Sequence, residues 1–241
     1  MRIVPILMYH SVGEPPAGTS WPVLYVRPAA FRRQVRLLRG LGYRLVGIGE
    51  AMPVLRGERS ERVAVITFDD AYADVYEHAL PALLDAGARA TTYAVSARVG
   101  AHNAWDEEKV GARKLLMDAT QLREWRRLGM EVGAHTRTHP RLPELAAHEQ
   151  QAEIAGSKAE LEQLLGEPVD QFCYPYGELD ERVVATVAQA GFAGATTTRR
   201  GRARSGDDLL RLRRVSVKGH LPLWLFPFRV VTGYEDRRGR G

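Results

Sequence analysis

Residues 63–70 of the chain read Val-Ala-Val-Ile-Thr-Phe-Asp-Asp. The stretch from 63 to 68 is typical of a strand that is buried on both faces, as in a parallel sheet. Acidic residues follow at the point where such a strand would leave the core. Apolar runs that stop at polar residues recur along the chain, and this pattern predicts strands that end on one functional face.

On both sides of this strand, short apolar runs alternate with amphipathic helical patterns, which indicates βα units around a parallel sheet or barrel. The predicted strands cover 3–9, 62–68, 89–95, 131–135, 170–174, 192–196 and 213–217. The predicted helices cover 28–41, 72–86, 119–128, 144–165 and 178–190. The chain has 241 residues, 45% of them hydrophobic, which is enough for one sizeable core. We therefore expect a single α/β domain.

Composition excludes several classes of protein. Cys173 is the only cysteine, which excludes an internal disulfide framework and any zinc site built from several cysteines. A bound metal would have to use histidine and carboxylate ligands. The apolar start at 1–8 lacks a cleavage site, and no stretch is long enough for a membrane span, so we expect a cytoplasmic protein.

The net charge of +5 is concentrated near the C-terminus, where residues 199–241 carry 12 Lys/Arg against 4 Asp/Glu. The basic residues at 199–204 are interleaved with glycine rather than with aromatic residues, which favours a solvated loop, and we expect no nucleic-acid partner. The apolar segment 221–228 has two interpretations, peripheral contact with a membrane surface or a buried closing element, of which the second is the more common.

Adjacent aspartates at the end of a buried strand are unfavourable on their own. Desolvation and like-charge repulsion both oppose ionisation of Asp69 and Asp70, and a cation would remove much of that cost. Alternation along the strand points the two side chains in different directions, so one can bind a metal while the other faces a substrate. Asp70 is also placed to cap the helix predicted from residue 72, an equally good interpretation of the pair alone.

Two histidines lie four residues apart in the segment 135–139, which reads His-Thr-Arg-Thr-His. This spacing puts both imidazoles on the same side if the turn is helical. Two histidines and one carboxylate bind zinc-like ions and leave positions open for water and substrate. Such a pair on an exposed helix is usually an ordinary surface feature, but its place after a predicted strand favours a metal site.

Two more predicted strands end in the same way. The first leads into His10, and the strand at 170–174 leads into Tyr-Pro-Tyr-Gly at 174–177. The C-terminal ends of parallel strands converge on one face of a barrel. The sequence therefore predicts a single pocket in which these side chains meet the aspartate pair and the histidine pair.

Taken in order, the segments 67–70, 135–139 and 174–177 resemble the polysaccharide deacetylase family, the NodB-homology domain of carbohydrate esterase family four. The Leu-Met-Tyr-His segment at 7–10 is similar to the branch that acts on poly-N-acetylglucosamine, in which the acid motif stands at the N-terminus. The resemblance implies an α/β fold, a distorted (β/α) barrel of about seven parallel strands in a single domain. We expect the domain to span 1–232 and residues 233–241 to form a disordered tail.

The resemblance also implies a metal centre. Asp70, His135 and His139 would bind a divalent ion, zinc in the first place, with cobalt or nickel as alternatives. Asp69 would be the catalytic base that takes a proton from metal-bound water, since a metal lowers the pKa of its water towards ~7.

The remaining roles concern substrate and acid. The backbone N–H of Tyr176 would hold the oxyanion, within a substrate segment made of Tyr174, Pro175, Tyr176 and Gly177. His10 would be the catalytic acid in preference to His220, which we expect to be a surface histidine. Many members have an arginine where this chain has Cys173, and that arginine orients the base; Arg213 or Arg214 could substitute.

We therefore expect a metal-dependent deacetylase that hydrolyses N-acetyl or O-acetyl groups on a carbohydrate or glycan precursor. Its substrate would be an N-acetylated sugar, an oligosaccharide or a lipid-linked glycan. One alternative is a hydrolase of a non-sugar amide, because metal-assisted hydrolysis does not require a carbohydrate. Another is a catalytically silent carbohydrate-binding domain, against which the presence of both aspartates and both histidines argues.

Overall fold

A parallel sheet closed into a barrel forms the centre of the molecule in the computed structural model, which describes residues 2–238. The strands are β1 (Ile3–Val4), β2 (Ile6–Tyr9), β3 (Ser11–Val12), β4 (Tyr25–Val26), β5 (Arg44–Val46), β6 (Val63–Phe68), β7 (Thr91–Ala94), β8 (Glu131–Ala134), β9 (Gln171–Cys173), β10 (Gly194–Arg200), β11 (Ala203–Arg204) and β12 (Leu212–Ser216).

Within the described range, seven strands form the barrel wall in the order β2, β12, β10, β9, β8, β7 and β6, and β6 closes the ring by pairing with β2. β5 pairs with the first half of β6, and β7 pairs with its second half along the same edge. Each barrel strand overlaps one strand predicted from the sequence. The predicted single-domain α/β barrel is therefore confirmed.

Helices surround this barrel. They are α1 (Pro28–Gly40), α2 (Ile48–Leu55), α3 (Leu80–Asp85), α4 (Glu107–Val110), α5 (Ala119–Arg127), α6 (Ala147–Leu165), α7 (Glu181–Gln189), α8 (Leu225–Val231) and α9 (Tyr234–Arg238), with a π-helical turn at Val75–Ala79 before α3. Short 3-10 turns lie at Pro22–Leu24, Ser96–Arg98, Leu142–Glu144 and Pro175–Gly177.

Helix α1 shows why most of the helices could be predicted. It buries Phe31, Val35 and Leu38 on one face while its arginines stay at the surface, which gives the sequence a helical period. Helix α2 was not predicted. It is apolar on most sides and contains Pro53, so its sequence shows no amphipathic pattern.

The side chains of β6 alternate between two hydrophobic cores. Ala64, Ile66 and Phe68 pack in the larger core beneath the outer helices. Val63 and Val65 belong to a smaller core that includes α2 and the start of β12. Because successive side chains point to opposite faces of a strand, Thr67 and then Asp69 continue the second set. The aspartate is thereby directed into the barrel.

The C-terminal segment is ordered further than the sequence indicated. We expected a disordered tail from residue 233, whereas residues 234–238 form α9; residues 239–241 of that predicted tail lie outside the described residues. Buried ion pairs explain the difference. Glu235 and Asp236 are both buried, Glu235 between Arg200 and Arg229.

The apolar segment 221–228 enters α8, which is only half buried. Phe226 and Val230 pack into the larger core, as expected for a closing element. Trp224 is 77% exposed and Phe228 is 43% exposed. No helix within residues 2–238 has both the length and the apolar character that crossing a membrane requires.

The ion pairs of α9 predict a stability change for Asp236→Asn. Asp236 accepts hydrogen bonds from the backbone N–H of Arg202, from Arg202 Nη2 and from Arg204 Nη2, each at 2.8 Å. Burial would raise the pKa of Asp236, but Arg202 outweighs it and lowers that pKa to about 2. The substitution leaves a buried guanidinium without its charge partner, so urea denaturation at pH 7 should show a loss of about 2 kcal/mol or more.

The control for this experiment is Asp85→Asn, because Asp85 is exposed at the end of α3. It should change the free energy of unfolding by less than about 0.5 kcal/mol. The contribution of Asp236 should be fully present above pH ~4 and disappear as the pH falls towards 2, because its folded pKa lies below its unfolded value. Equal stability of the Asp236→Asn variant and the wild type at pH 7 would contradict the argument.

Candidate active site

Asp69 is held inside the mouth of the barrel by a buried arginine. Arg214 donates from Nη1 to Asp69 Oδ1 at 2.6 Å and from Nη2 to Asp69 Oδ2 at 2.7 Å. Burial alone would raise the pKa of Asp69, but the Arg214 guanidinium lowers it to about 2. The carboxylate is therefore ionised at neutral pH and fixed in orientation by a bidentate contact.

The structure distinguishes between the two arginines that the sequence offered. Arg213 and Arg214 are neighbours on β12, so their side chains point to opposite faces. Arg213 is exposed, whereas Arg214 is buried and reaches Asp69. Cys173 lies beside this pair, with its Sγ 3.3 Å from Arg214 Nη2. The guanidinium thus comes from β12, and the small cysteine on β9 leaves room for it.

Asp70, His135 and His139 bring one ligand atom each to a common point. The three atoms all lie within 4.8 Å of one another, and all three residues are buried. Asp70 Oδ1 lies 3.5 Å from His135 Nε2 and 3.5 Å from His139 Nε2, and it accepts no hydrogen bond from the described part of the chain. Two ligand atoms at about 2.1 Å from a tetrahedral zinc ion would lie about 3.4 Å apart. The donor set fits a divalent ion.

The ring of His135 is oriented for this role. Its Nδ1 lies 2.7 Å from the carbonyl oxygen of Cys173, so Nδ1 is the donor there and Nε2 is the nitrogen that faces Asp70. Burial would lower the pKa of His135, but Cys173 and Asp70 raise it to about 9, so a cation that binds at Nε2 would displace a proton. Burial lowers the pKa of His139 to about 3, and the neighbouring His135 adds to that effect. His139 is therefore neutral at physiological pH, which is the form that binds a metal.

Unusual backbone conformations are concentrated in these same loops. Within residues 2–238 the non-glycine residues with positive φ are Asp70 (72°), Ala71 (52°), Thr136 (65°), His139 (67°) and Tyr176 (59°). This region is unfavourable for residues with a Cβ atom, and such strain persists only where the surrounding structure imposes it. The loops after β6, β8 and β9 are therefore bent to aim their side chains at one point.

Aromatic rings wall the cleft above the three ligands. Trp105 stacks on His139 with ring centroids 4.7 Å apart, and Tyr176 meets the same imidazole edge-on at 4.6 Å. The cleft has a volume of about 240 Å³ and also includes Trp21 and Asp106. Burial raises the pKa of Asp106 to about 6. Trp105 and Asp106 both come from the segment between β7 and α4.

The structure separates the two candidate acids. His10 lines the cleft, and its Nε2 lies 4.0 Å from Asp69 Oδ2. Burial lowers the pKa of His10, although Asp69 opposes that effect. His220 is exposed and lines a different cavity. Of the two candidate acids, only His10 is close to Asp69.

The segment 174–177 combines supporting residues with a free donor. Tyr174 lines the cleft and donates a hydrogen bond from its hydroxyl to the carbonyl oxygen of Leu210, while Pro175 is buried in the turn. The backbone N–H of Tyr176 makes no hydrogen bond to another residue among 2–238. Gly177 has a φ of 74°, and a Cβ atom there would lie 1.9 Å from the hydroxyl of Thr198. Only glycine fits at this position.

The cleft is also lined by three residues that were not predicted from the sequence: Trp21, Asp106 and Thr198. Trp21 and Asp106 come from irregular loops, where no periodic pattern marks a residue. Thr198 was missed because β10 extends to Arg200, beyond the predicted end of that strand at 196. No feature of the local sequence could have identified these residues.

Comparison with known proteins agrees with this geometry. Residues 56–195 match the family model described as "Polysaccharide deacetylase". The chain is 30% identical over 216 residues to the "Putative polysaccharide deacetylase YxkH" of Bacillus subtilis (strain 168), which covers 89% of this chain and 71% of that protein.

Solved structures share the fold over almost the whole chain. The "putative polysaccharide deacetylase BA0330" of Bacillus anthracis aligns with a TM-score of 0.81 at 26% identity, over 95% of this chain and 69% of that one. The Streptococcus pyogenes deacetylase PplD, solved in complex with acetate, aligns with a TM-score of 0.81 at 24% identity, over 96% of this chain and 99% of that one.

The ligand geometry predicts metal content. The purified protein should bind about one zinc, cobalt or nickel ion, because imidazole and carboxylate ligands favour late divalent metals over magnesium. His135→Ala should lose most of this metal when measured by elemental analysis. Asp69→Asn is the matched control. The Asp69 carboxylate binds Arg214 and is not one of the three candidate ligands, so this variant should keep its metal. Full metal occupancy in His135→Ala would remove His135 from the ligand set.

Proposed function

The chain belongs to the polysaccharide deacetylase family, and we propose that it hydrolyses acetyl groups on a carbohydrate with the help of a divalent metal ion. The observation that carries the proposal is the buried Asp70 oxygen that lacks a hydrogen bond and lies 3.5 Å from two imidazole nitrogens. It lies beside an ionised Asp69 in an open cleft. This arrangement combines a cation site with a proton acceptor, which is what metal-assisted hydrolysis needs.

In this proposal Asp70, His135 and His139 hold the ion. When bound, the ion supplies Lewis-acid polarisation of the acyl carbonyl and acidifies water. The stacked ring of Trp105 and the edge of Tyr176 shield His139 from solvent, which keeps its imidazole in place. Zinc suits this ligand set best, with cobalt or nickel as alternatives.

Asp69 acts as the general base. Arg214 keeps the carboxylate ionised. Asp69 Oδ1 accepts from both Arg214 and Cys173, whereas Oδ2 accepts only from Arg214 within residues 2–238 and retains a second lone pair for a proton from the attacking water. The water oxygen adds to the acyl carbon, and the carbonyl oxygen gains negative charge. The backbone N–H of Tyr176 is free to donate to that oxygen, whereas Pro175 has no N–H to offer.

His10 supplies the proton that the leaving amine requires. Burial lowers its pKa, so the ring is neutral in the free enzyme and must first receive a proton. Its Nε2 lies 4.0 Å from Asp69 Oδ2, close enough for one water to carry the proton from the base to the imidazole. The C–N bond then breaks, the amine takes the proton, and acetate is released. Such an acid allows N-acetyl groups to be hydrolysed as well as O-acetyl groups, because an amine leaves only once it is protonated.

Acetate release tests the proposed function directly. The metal-loaded protein should release acetate from N-acetylglucosamine oligomers, and chelation should abolish the activity until metal is restored. Cyclic amides serve as the comparison, because their hydrolysis would indicate a non-sugar amide substrate. Metal-loaded protein that hydrolyses neither substrate would contradict the proposal and favour a carbohydrate-binding role.

The Asp69–Arg214 pair predicts a matched set of kinetic effects. Asp69→Asn should lower kcat by roughly 10²-fold or more, the range expected for loss of a general base. Arg214→Gln should also lower kcat, with metal content retained, because the base loses its orientation. The neighbouring exposed residue provides the control, and Arg213→Gln should leave kcat within about twofold of the wild type. If the two arginine variants behaved alike, Arg214 would not orient the base.

The role of His10 predicts a dependence on the leaving group. His10→Ala should retain metal and lower kcat on N-acetyl substrates by roughly 10²-fold. It should affect activated aryl acetates far less, because their leaving group needs little protonation. His148→Ala, at an exposed position on α6, should leave both activities unchanged. If His220→Ala instead showed the selective loss on amides, the acid would be His220.

A further inference from the structure

A second cavity opens at the same end of the barrel as the catalytic cleft. It has a volume of about 410 Å³ and is walled by the ends of β2, β10 and β12 and by α8 and α9. Thr198 lines both this cavity and the catalytic cleft, so the two adjoin. A ligand with its acetyl group in the cleft can therefore extend into the second cavity.

Four cationic side chains line this second cavity, which we call the basic cavity: Arg200, Lys218, Arg229 and Arg238. No aspartate or glutamate from the described part of the chain lines it. Thr198 and Ser216 lie on the same wall. Such a combination of guanidinium and ammonium donors is typical of sites for phosphate groups.

The nearest acid to these cations is fully buried. Glu235 has no exposed side-chain surface, and its two carboxylate oxygens are taken by Arg200 and by Arg229. One carboxylate thus fixes two guanidinium groups but neutralises only one of their charges. Lys218 and Arg238 add two more positive charges at the cavity wall. The basic cavity is therefore preorganised and has a net positive charge.

We propose that the basic cavity binds a phosphate group carried by the acetylated sugar, so that the enzyme prefers phosphorylated sugars to neutral ones. This inference rests on the proposed function for the position of the acetyl group. The shared wall at Thr198 allows the acetyl group and the phosphate to be bound at the same time. The phosphate can be a monoester on the sugar or part of a pyrophosphate link to a carrier, and the experiment distinguishes these two sources.

The test compares three substrates on the metal-loaded enzyme: methyl N-acetylglucosaminide, N-acetylglucosamine 1-phosphate and UDP-N-acetylglucosamine. We expect kcat/KM to be roughly tenfold or more higher for a phosphorylated sugar, and this preference should fall as salt is added. Preference for the 1-phosphate indicates a monoester, and preference for the uridine diphosphate sugar indicates a pyrophosphate. Equal kcat/KM for all three substrates would overturn the inference.

Lys218→Ala and Arg238→Ala should each lower the ratio of kcat/KM for the preferred phosphorylated sugar to that for the neutral sugar by roughly threefold to tenfold. Arg237→Ala is the matched control, because Arg237 is an exposed neighbour that does not line the basic cavity. It should leave the ratio unchanged. An equal decrease in all three variants would point to general surface charge and overturn the assigned site.

A binding measurement separates this inference from the proposed function. Calorimetric titration of N-acetylglucosamine 1-phosphate and of UDP-N-acetylglucosamine into the metal-loaded enzyme needs no turnover. Wild-type protein should bind at least one of these two phosphorylated sugars several-fold more tightly than Lys218→Ala does. If no substrate is hydrolysed but this difference in binding is found, the proposed function fails and the phosphate site stands. Hydrolysis of the neutral sugar with no difference in binding leaves the proposed function and removes the phosphate site.

Discussion

The bidentate pair between Arg214 and Asp69 is the interaction on which the mouth of the barrel depends. Both charges are buried, so each would be very unfavourable without the other. The guanidinium also donates to the hydroxyl of Thr67 and to the carbonyl oxygen of Thr197, which leaves little of it unpaired. These contacts connect β12, β6 and β10 inside the barrel. They fix the positions of Thr67, near the end of β6, and of Asp69, just after it. The direction in which the chain continues to Asp70 is thereby fixed as well.

Beyond Asp69 the backbone adopts conformations that are locally unfavourable for residues other than glycine. Asp70, His139 and Tyr176 all have positive φ, at a cost on the order of 1 kcal/mol each. Hydrophobic packing of the barrel and its helices compensates for this strain. The result is a rigid set of groups in which an unsatisfied carboxylate oxygen faces two imidazoles. Such an arrangement is well prepared to bind a cation.

The mouth of the barrel is divided into two electrostatic halves. The ends of β6 and β8 supply carboxylates and imidazoles, whereas the ends of β10 and β12, with the two C-terminal helices, supply a basic surface. On α9, Glu235 forms an ion pair with Arg200, and Asp236 forms ion pairs with Arg202 and Arg204. These pairs explain why such a short terminal helix is anchored. A substrate that spans both halves would be oriented by charge before any chemistry takes place.

Local patterns in the sequence predicted the seven barrel strands and a parallel sheet or barrel, and the resemblance of its motifs favoured the barrel. The sequence also predicted the candidate ligands, since aspartates and histidines directly after strands converge on one face of a parallel barrel. Only the folded structure shows which of Arg213 and Arg214 reaches Asp69, because that contact depends on which face of β12 turns inward. It also placed Trp105 on His139 and ordered α9 through Glu235, since these contacts join segments that are distant along the chain and leave no local pattern in it.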